Sequence, residues 1–482
     1  VIPLTLAEVA RITGGQVHGD PGLLVEGAAY VDSRTPVDRG LYVAIAGERV
    51  DGHDFAAGAH AVLGSRPTAA PTVVVADPTV ALGRLARVVV DRLDARVLAL
   101  TGSQGKTGTK DLLAHVLAAA GPTVATAANN NNELGVPLTV LRADAATRHL
   151  VVEMGARGIG HIAYLTGIAP PSVAAVLNVG TAHIGEFGGR DAIAAAKGEI
   201  VETLDAGATA VLNADDPLVA AMAARTRARV TTFGRHADVR WRDVAFDDLG
   251  RASFELGHDG RWAPVSLRQT GDHQVLNAAA AAAMALAVGL DLSVVAAALG
   301  EAEPASRWRM ELTTRADGLV VLNDAYNANP ASMRAAIDAL ARLGRSRAGR
   351  TVAVLGEMKE LGEEHEAAHR EVGRAAAEAG IDVVVVVGEG AAGIAAGVRD
   401  GLHDGLHDGR HDGLHDGLHD GLHDGGSEVI VTAGRYDAAA WVRKNAGADD
   451  VVLVKASRAA ALEEIAEQLL GEGAARGTDV SR

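Results

Sequence analysis

Short apolar runs, several of them closing on a polar residue, recur along this chain and alternate with segments of helical spacing. In one stretch these runs fall at 96–101, 149–153, 172–178 and 208–213. Strands buried on both faces read this way, and open α/β sheets place ligands at the carboxyl ends of such strands. The pattern starts again near residue 313, with runs at 319–323, 350–355, 383–387, 428–432 and 451–455. Ahead of residue 95 lies a smaller unit, with helices predicted at 6–13 and 80–94 and strands at 40–45 and 72–76. The prediction is an α/β protein of three domains, spanning 1–94, 95–312 and 313–482, the central one with a mostly parallel sheet. An alanine-rich run from 277 to 288 reads as a buried helix, since about 20 apolar residues are needed to span a bilayer.

The run at 96–101 leads into Gly102-Ser103-Gln104-Gly105-Lys106-Thr107, and helical spacing follows over 110–117. Glycines let a loop turn its N–H groups toward an anion, and the next helix adds the positive end of its dipole. In such a P-loop Lys106 reaches the outer phosphates and the Thr107 hydroxyl ligates Mg²⁺. The spacing is two residues shorter between the glycines than the usual pattern. Strand, loop and helix in this order nonetheless point to a nucleotide.

Composition narrows the partners. The hydrophobic fraction is 48% but only 3% is aromatic, so aliphatic side chains must fill the cores. A net charge of −16 argues against nucleic acid as a partner. The absence of cysteine removes disulfides and thiol chemistry and fits a reducing compartment. Val1-Ile2-Pro3-Leu4 lacks the basic flank and long apolar run of a signal peptide. No membrane segment is expected, and a cytoplasmic enzyme is the default.

From Asp400 to Asp424 the tetrapeptide Asp-Gly-Leu-His repeats, with Arg410 in place of one leucine. Alternating histidine and aspartate invites a metal-binding reading. Glycine at every fourth position argues against a helix. Expansion of a short DNA repeat within a surface loop, which costs little stability, accounts for the segment better.

Polar residues at the other strand ends suggest the chemistry. Glu153 closes its run where an acid holds Mg²⁺, directly or through water, opposite Thr107; the alternative is a helix-capping carboxylate. His183 follows the 172–178 run on a glycine-softened loop, and Lys197 is expected at the start of a helix. Asn277 opens the alanine-rich helix, where it either approaches a base or serves as a structural amide. Arg309 and Asp324 flank the boundary of the third domain, so both reach one nucleotide if the cleft closes.

Together these residues resemble the Mur ligases. The resemblance is carried by the phosphate loop, Asn129-Asn-Asn-Asn132-Glu-Leu-Gly-Val-Pro-Leu138, Glu153-Met-Gly-Ala156, Asn178-Val-Gly-Thr-Ala-His183 and Ala196-Lys-Gly-Glu199. Arg307-Trp-Arg-Met-Glu311, Asn323-Asp-Ala-Tyr-Asn-Ala-Asn-Pro330 and Leu355-Gly-Glu-Met-Lys-Glu-Leu-Gly362 complete it. The last two segments resemble the dipeptide-adding members of the family. The resemblance implies an ATP-dependent amide ligase acting on UDP-N-acetylmuramoyl-tripeptide and D-alanyl-D-alanine through an acyl phosphate. It further implies a UDP-binding first domain, a central ATPase, a Rossmann-like third domain and a monomer. By similarity Gly102 to Thr107, Asn277, Arg309 and Asp324 bind ATP, while Thr107, Glu153, His183 and Lys197 serve two Mg²⁺ ions. Lys106, Lys197, His183 and Arg309 are the implied catalytic residues, Lys197 as a carbamate. Ser33, Arg34, Asn132, Asn327 and Asn329 match substrate positions, with the turn Gly52-His53-Asp54-Phe55 alongside Ser33.

The chain departs from the family pattern at Gly108, where a second threonine is usual, and in the histidine repeat. Two other readings stand beside the main one. The related ligase adding the third stem-peptide residue usually carries Asp-Asn-Pro-Arg, which is absent here. A non-catalytic wall-synthesis scaffold has no need of the full set of polar residues. The third residue of the tripeptide is not legible.

Overall fold

The computed structural model describes residues 1–47, 49–180, 189–407 and 427–471. The amino-terminal part holds a five-stranded sheet in the order Gln16–His18, Thr72–Val74, Ala61–Gly64, Leu41–Val43, Ala29–Tyr30. Its helix Leu6–Thr13 starts at a capping box in which Thr5 and Glu8 exchange hydrogen bonds, and ends at Gly14 with φ 73°. Its second helix, Pro78–Arg92, has Asp77 accepting from the Thr79 and Val80 amides, with proline where a helix needs no donor.

Nine strands form the central sheet, in the order Arg261–Thr270, Arg251–His258, Val239–Phe246, Arg229–Phe233, Thr209–Asn213, Val173–Val176, Arg96–Thr101, His149–Glu153, Thr123–Ala125. After Arg96–Thr101 the chain runs to the edge strand, returns to His149–Glu153, and then crosses to Val173–Val176 on the other side. This reversal opens a crevice at the carboxyl end of Arg96–Thr101, where open α/β sheets take ligands.

Six strands form the third sheet, in the order Glu311–Thr314, Val320–Asn323, Val451–Lys455, Thr351–Gly356, Val383–Val387, Glu428–Thr432. All its neighbours are parallel except the first pair. The last strand in sequence, Val451–Lys455, is thus inserted beside the first parallel one, which brings residues from distant parts of the chain to one sheet end.

One apolar core runs without a break from the amino-terminal sheet, through helix Pro78–Arg92, onto one face of the central sheet. Gly83 makes the approach possible, because a Cβ there would meet Ile168 Cδ1 and the Tyr164 hydroxyl at 3.2 Å. The other central face is covered by helices Lys106–Ala118, His273–Ala287 and Leu292–Glu301. The third sheet has its own cores, built from Met310 onward.

Three expectations need correction. The strands Val239–Phe246, Arg251–His258 and Arg261–Thr270 form an antiparallel meander that the apolar-run criterion passes over. Only one face of it is buried, so its sequence alternates instead of forming continuous runs. Lys197 sits in the middle of helix Arg190–Glu202, which starts upstream on good helix formers, and not at a helix start. Helix Ala392–His407 continues into the repeat as far as His407, despite the glycines. That helix is already nucleated and docked against His365–Glu378, and extending a helix is far easier than starting one. Gly397 gives the close docking, since a Cβ there would overlap the Arg370 carbonyl oxygen. The remainder of the repeat, 408–424, lies outside the described residues. Among those described, no helix is long and apolar enough to cross a membrane.

Candidate active site

The phosphate loop occupies the crevice at the switch in strand order. Gly105 has φ 76°, a left-handed conformation that lets the loop turn into helix Lys106–Ala118. A Cβ at Gly105 would also lie 2.5 Å from Asn277 Oδ1, so this position is closed to side chains twice over. Asn178 braces the loop from the neighbouring strand: its Oδ1 accepts from the Gln104 amide at 2.9 Å and its Nδ2 donates to the Gln104 carbonyl at 3.2 Å. The Gly180 amide donates to Ser103 Oγ at 2.9 Å. A loop held this way is preorganised to receive an anion.

Thr107, at the start of helix Lys106–Ala118, and Glu153, at the end of its strand, face each other across the crevice. The Thr107 hydroxyl donates to Glu153 Oε2 at 3.0 Å, and Asn131 Nδ2 donates to Oε1 at 2.8 Å. Glu153 is 1% exposed and caps no helix, so the helix-capping alternative fails. The acid that does cap a helix is Glu199, inside helix Arg190–Glu202, which accepts from the Gly160 and Ala163 amides at the start of helix His161–Ile168.

Two lysines converge on the site. Lys106 Nζ donates to the Gly102 carbonyl at 2.7 Å. Burial holds its amine below the ordinary lysine range, with Glu153 pulling the other way and Arg309 adding to the depression. Lys197 is 6% exposed, and burial together with the Lys106 charge sets it well below that range. Among the described residues no carboxylate forms an ion pair with it. His183 lies outside the described residues, so its expected place as a metal ligand stays an expectation.

Asn277 is buried, accepts from the Thr109 hydroxyl at 3.3 Å, and donates to Gln274 Oε1 at 3.0 Å. The departure at Gly108 belongs to this contact: a Cβ there would stand 3.0 Å from Asn277 Nδ2. The third domain comes over the loop from the opposite side. Arg309 lies over the Tyr326 ring at 3.9 Å, within electrostatic reach of Lys106. Gln104 Nε2 donates to Asn329 Oδ1 at 3.2 Å, and the same oxygen caps helix Pro330–Arg345. Both oxygens of Asp324 are already engaged, Oδ1 by the Met310 amide and Oδ2 by Lys455, a residue that sequence reasoning missed.

The proposed substrate positions separate. Asn132 Oδ1 accepts from the Leu134 and Gly135 amides as a helix cap, and it is Asn131 that reaches Glu153. Asn327 Oδ1 accepts from the adjacent Ala328 amide. In the first domain Ser33 lies near enough to Tyr42 to act on its hydroxyl, which donates to the Gly52 carbonyl at 2.9 Å. The two segments matched to the uridine nucleotide therefore meet. Arg34 forks onto Asp32 with bonds of 2.9 and 2.7 Å. His53 Nε2 accepts from the Ser65 amide at 2.8 Å, which leaves the proton on Nδ1 for Asp51.

The chain matches the model of the Mur ligase middle domain over residues 100–285, and that of the Mur ligase glutamate ligase domain over 308–458. It is 44% identical to the UDP-N-acetylmuramoyl-tripeptide–D-alanyl-D-alanine ligase of Mycobacterium tuberculosis, with 98% of each chain covered. It is 37% identical to the Escherichia coli enzyme of the same name, with 81% of this chain and 87% of the other covered. Among solved structures, MurF from Acinetobacter baumannii superposes with a TM-score of 0.82 at 31% identity, covering 97% of this chain and 99% of that one. The MurF ligase of Thermotoga maritima in complex with ADP gives 0.75 at 28% identity, covering 92% and 96%.

Proposed function

The chain belongs to the Mur ligase family, and on that premise we propose how its residues perform amide formation. It is an ATP-dependent ligase that adds D-alanyl-D-alanine to UDP-N-acetylmuramoyl-tripeptide, a step of peptidoglycan synthesis. In our reading the terminal carboxylate of the tripeptide attacks the γ-phosphorus of ATP. The bond to ADP breaks and an acyl phosphate forms. The amine of the dipeptide then attacks the acyl carbon, the bond to phosphate breaks, and the ammonium proton is lost to solvent.

The phosphate loop with Lys106 and Thr107 binds the triphosphate, and Asn277 lies where the base is contacted. Lys106 from the loop itself and Arg309 from the boundary with the third domain approach one point, and cations so placed stabilise charge spread over a transferring phosphoryl group. The third domain, laid over the loop, keeps water from an acyl phosphate that water would destroy. The paired oxygens of Thr107 and Glu153 suit a hard divalent cation; Mg²⁺ held there would neutralise phosphate charge. Lys197 as a carbamate would offer an oxygen ligand to a second ion. An ammonium there would be repelled by cations, whereas its depressed basicity supplies the neutral amine that carbamate formation needs. Ser33, the Gly52 turn and Arg34 hold the uridine end, and Asn327 and Asn329 lie on the side of the incoming dipeptide. The enzyme works as a cytoplasmic monomer.

The observation that supports this reading most is the placement of Arg309 and Asn329 over a phosphate loop whose Thr107 faces Glu153. Purified protein with ATP and Mg²⁺ should release ADP only when both substrates are present. The product mass should exceed the tripeptide by one dipeptide less water. Efficient replacement of D-alanyl-D-alanine by glutamate or a diamino acid would sink the assignment, and absence of turnover would favour a scaffold.

A further inference from the structure

Lys455 ends a strand whose other residues are all apolar and buried, and it is itself 1% exposed. A buried ammonium is costly unless it is paired and hydrogen-bonded. Its partners all lie in the segment that follows strand Val320–Asn323. Nζ bonds Asp324 Oδ2 at 2.5 Å and the Asn327 carbonyl at 2.9 Å, with the Asp324 carbonyl at 3.5 Å. Inserting Val451–Lys455 next to that strand brings together groups 131 residues apart in sequence.

The connection continues beyond Asp324. Its second oxygen accepts from the Met310 amide at 3.0 Å. Trp308 and Met310 both have positive φ, 59° and 51°, a conformation that non-glycine residues adopt only when held. The Tyr326 amide donates to the Trp308 carbonyl at 3.1 Å, which fixes the same kink from the other side. Arg309 lies between these two residues and is laid by the kink over the Tyr326 ring.

We infer that Lys455 is a positioning residue for the ligase reaction: through Asp324 and Met310 it holds the strained 308–310 segment that aims Arg309 at the phosphate loop. This rests on the role given to Arg309 above. The hydrogen bonds of Lys455 run to Asp324 and Asn327 and not to the phosphate loop. Its ammonium closes a ring of bonds in which a carboxylate is divided between a cation and a backbone amide. Methionine has similar length but no donor, so it would leave Asp324 free to turn away and the kink free to relax.

A double-mutant cycle with K455M and R309A tests this. Each single variant should lower kcat by roughly tenfold or more, and the double variant should be no slower than the worse single, because both remove one function. K455M should bind the UDP-substrate normally, and hydrogen exchange should speed up at Met310 before it does in strand Val451–Lys455. Multiplicative losses of kcat, or a uniform rise in exchange across the third sheet, would mean that Lys455 only stabilises the fold and would overturn the inference. If K455M does not fold, K455Q, which keeps a donor without the charge, carries the same cycle. Full activity in R309A would instead defeat the role assigned to Arg309, a failure distinguishable from that of Lys455.

Discussion

Gln104 of the phosphate loop and Asn329 of the third sheet's first helix cap are 225 residues apart and joined by one hydrogen bond of 3.2 Å. Because the Asn178 bonds fix the backbone of Gln104, its side chain is the free element and reports on where the third domain lies. Replacing Gln104 by Ala should leave the loop intact and loosen this seam. A neutral hydrogen bond contributes about 0.5–1.5 kcal/mol, so kcat/KM for the dipeptide should fall roughly two- to twelvefold. ADP affinity and melting temperature should stay near wild type. Steady-state kinetics with both substrates varied would show it, and an unchanged kcat/KM would mean the bond carries no coupling.

Lys197 gives a sharper prediction. K197A should fold normally and lose turnover by on the order of 10²-fold or more, as when a preorganised charge-stabilising group is removed. Small carboxylates such as acetate should restore part of the rate, by supplying the oxygens of the missing carbamate. Rescue by alkylamines but not by carboxylates would show that the ammonium, and not a carbamate, is the working form.

A pH dependence of stability follows from His369, which is fully buried in helix His365–Glu378. Its Nε2 accepts from the Met358 amide at 2.9 Å, so the ring must be neutral with its proton on Nδ1, facing the His365 carbonyl. Burial, with the His365 charge, lowers its pKa against the pull of the carbonyl and nearby glutamates. The unfolded chain therefore binds the extra proton first, and stability should fall as pH drops below about 6.5 toward the folded value, by up to ~1.4 kcal/mol per pH unit. H369Q can still accept from Met358 and should flatten that slope. Thermal melts of both proteins between pH 5 and 8 (a range set by the imidazole's ordinary value) would decide it; parallel curves would assign the effect to other groups.

Much of the site was legible because its residues stand at the ends of apolar runs. Glu153 closes such a run and Lys106 follows one, and the sheet turns both toward the same crevice. Asn131 and Asn132 were not separable by the same logic. They are neighbours in a row of asparagines, and only the backbone of the loop decides that one reaches Glu153 while the other caps a helix. Lys455 also ends an apolar run, but a lone lysine there reads as a solvated terminus. Its meaning depends on strand order, which puts a partner from far upstream beside it. The meander at 239–270 escaped for a related reason, since a half-exposed strand carries charges wherever it faces water.

The unbroken core between the amino-terminal and central sheets has a mechanical consequence. Separating those two parts would return Leu82, Leu85, Ile162 and Ile168 to water, at about 25 cal/mol for each Å² exposed. The described contacts of the third domain with the centre include polar ones, among them Gln104 with Asn329 and Asp272 with Arg342. Water can replace each of these at small cost. The seam between the first two sheets is therefore the stiffer one, and the polar boundary with the third domain is the one that parts at lower cost.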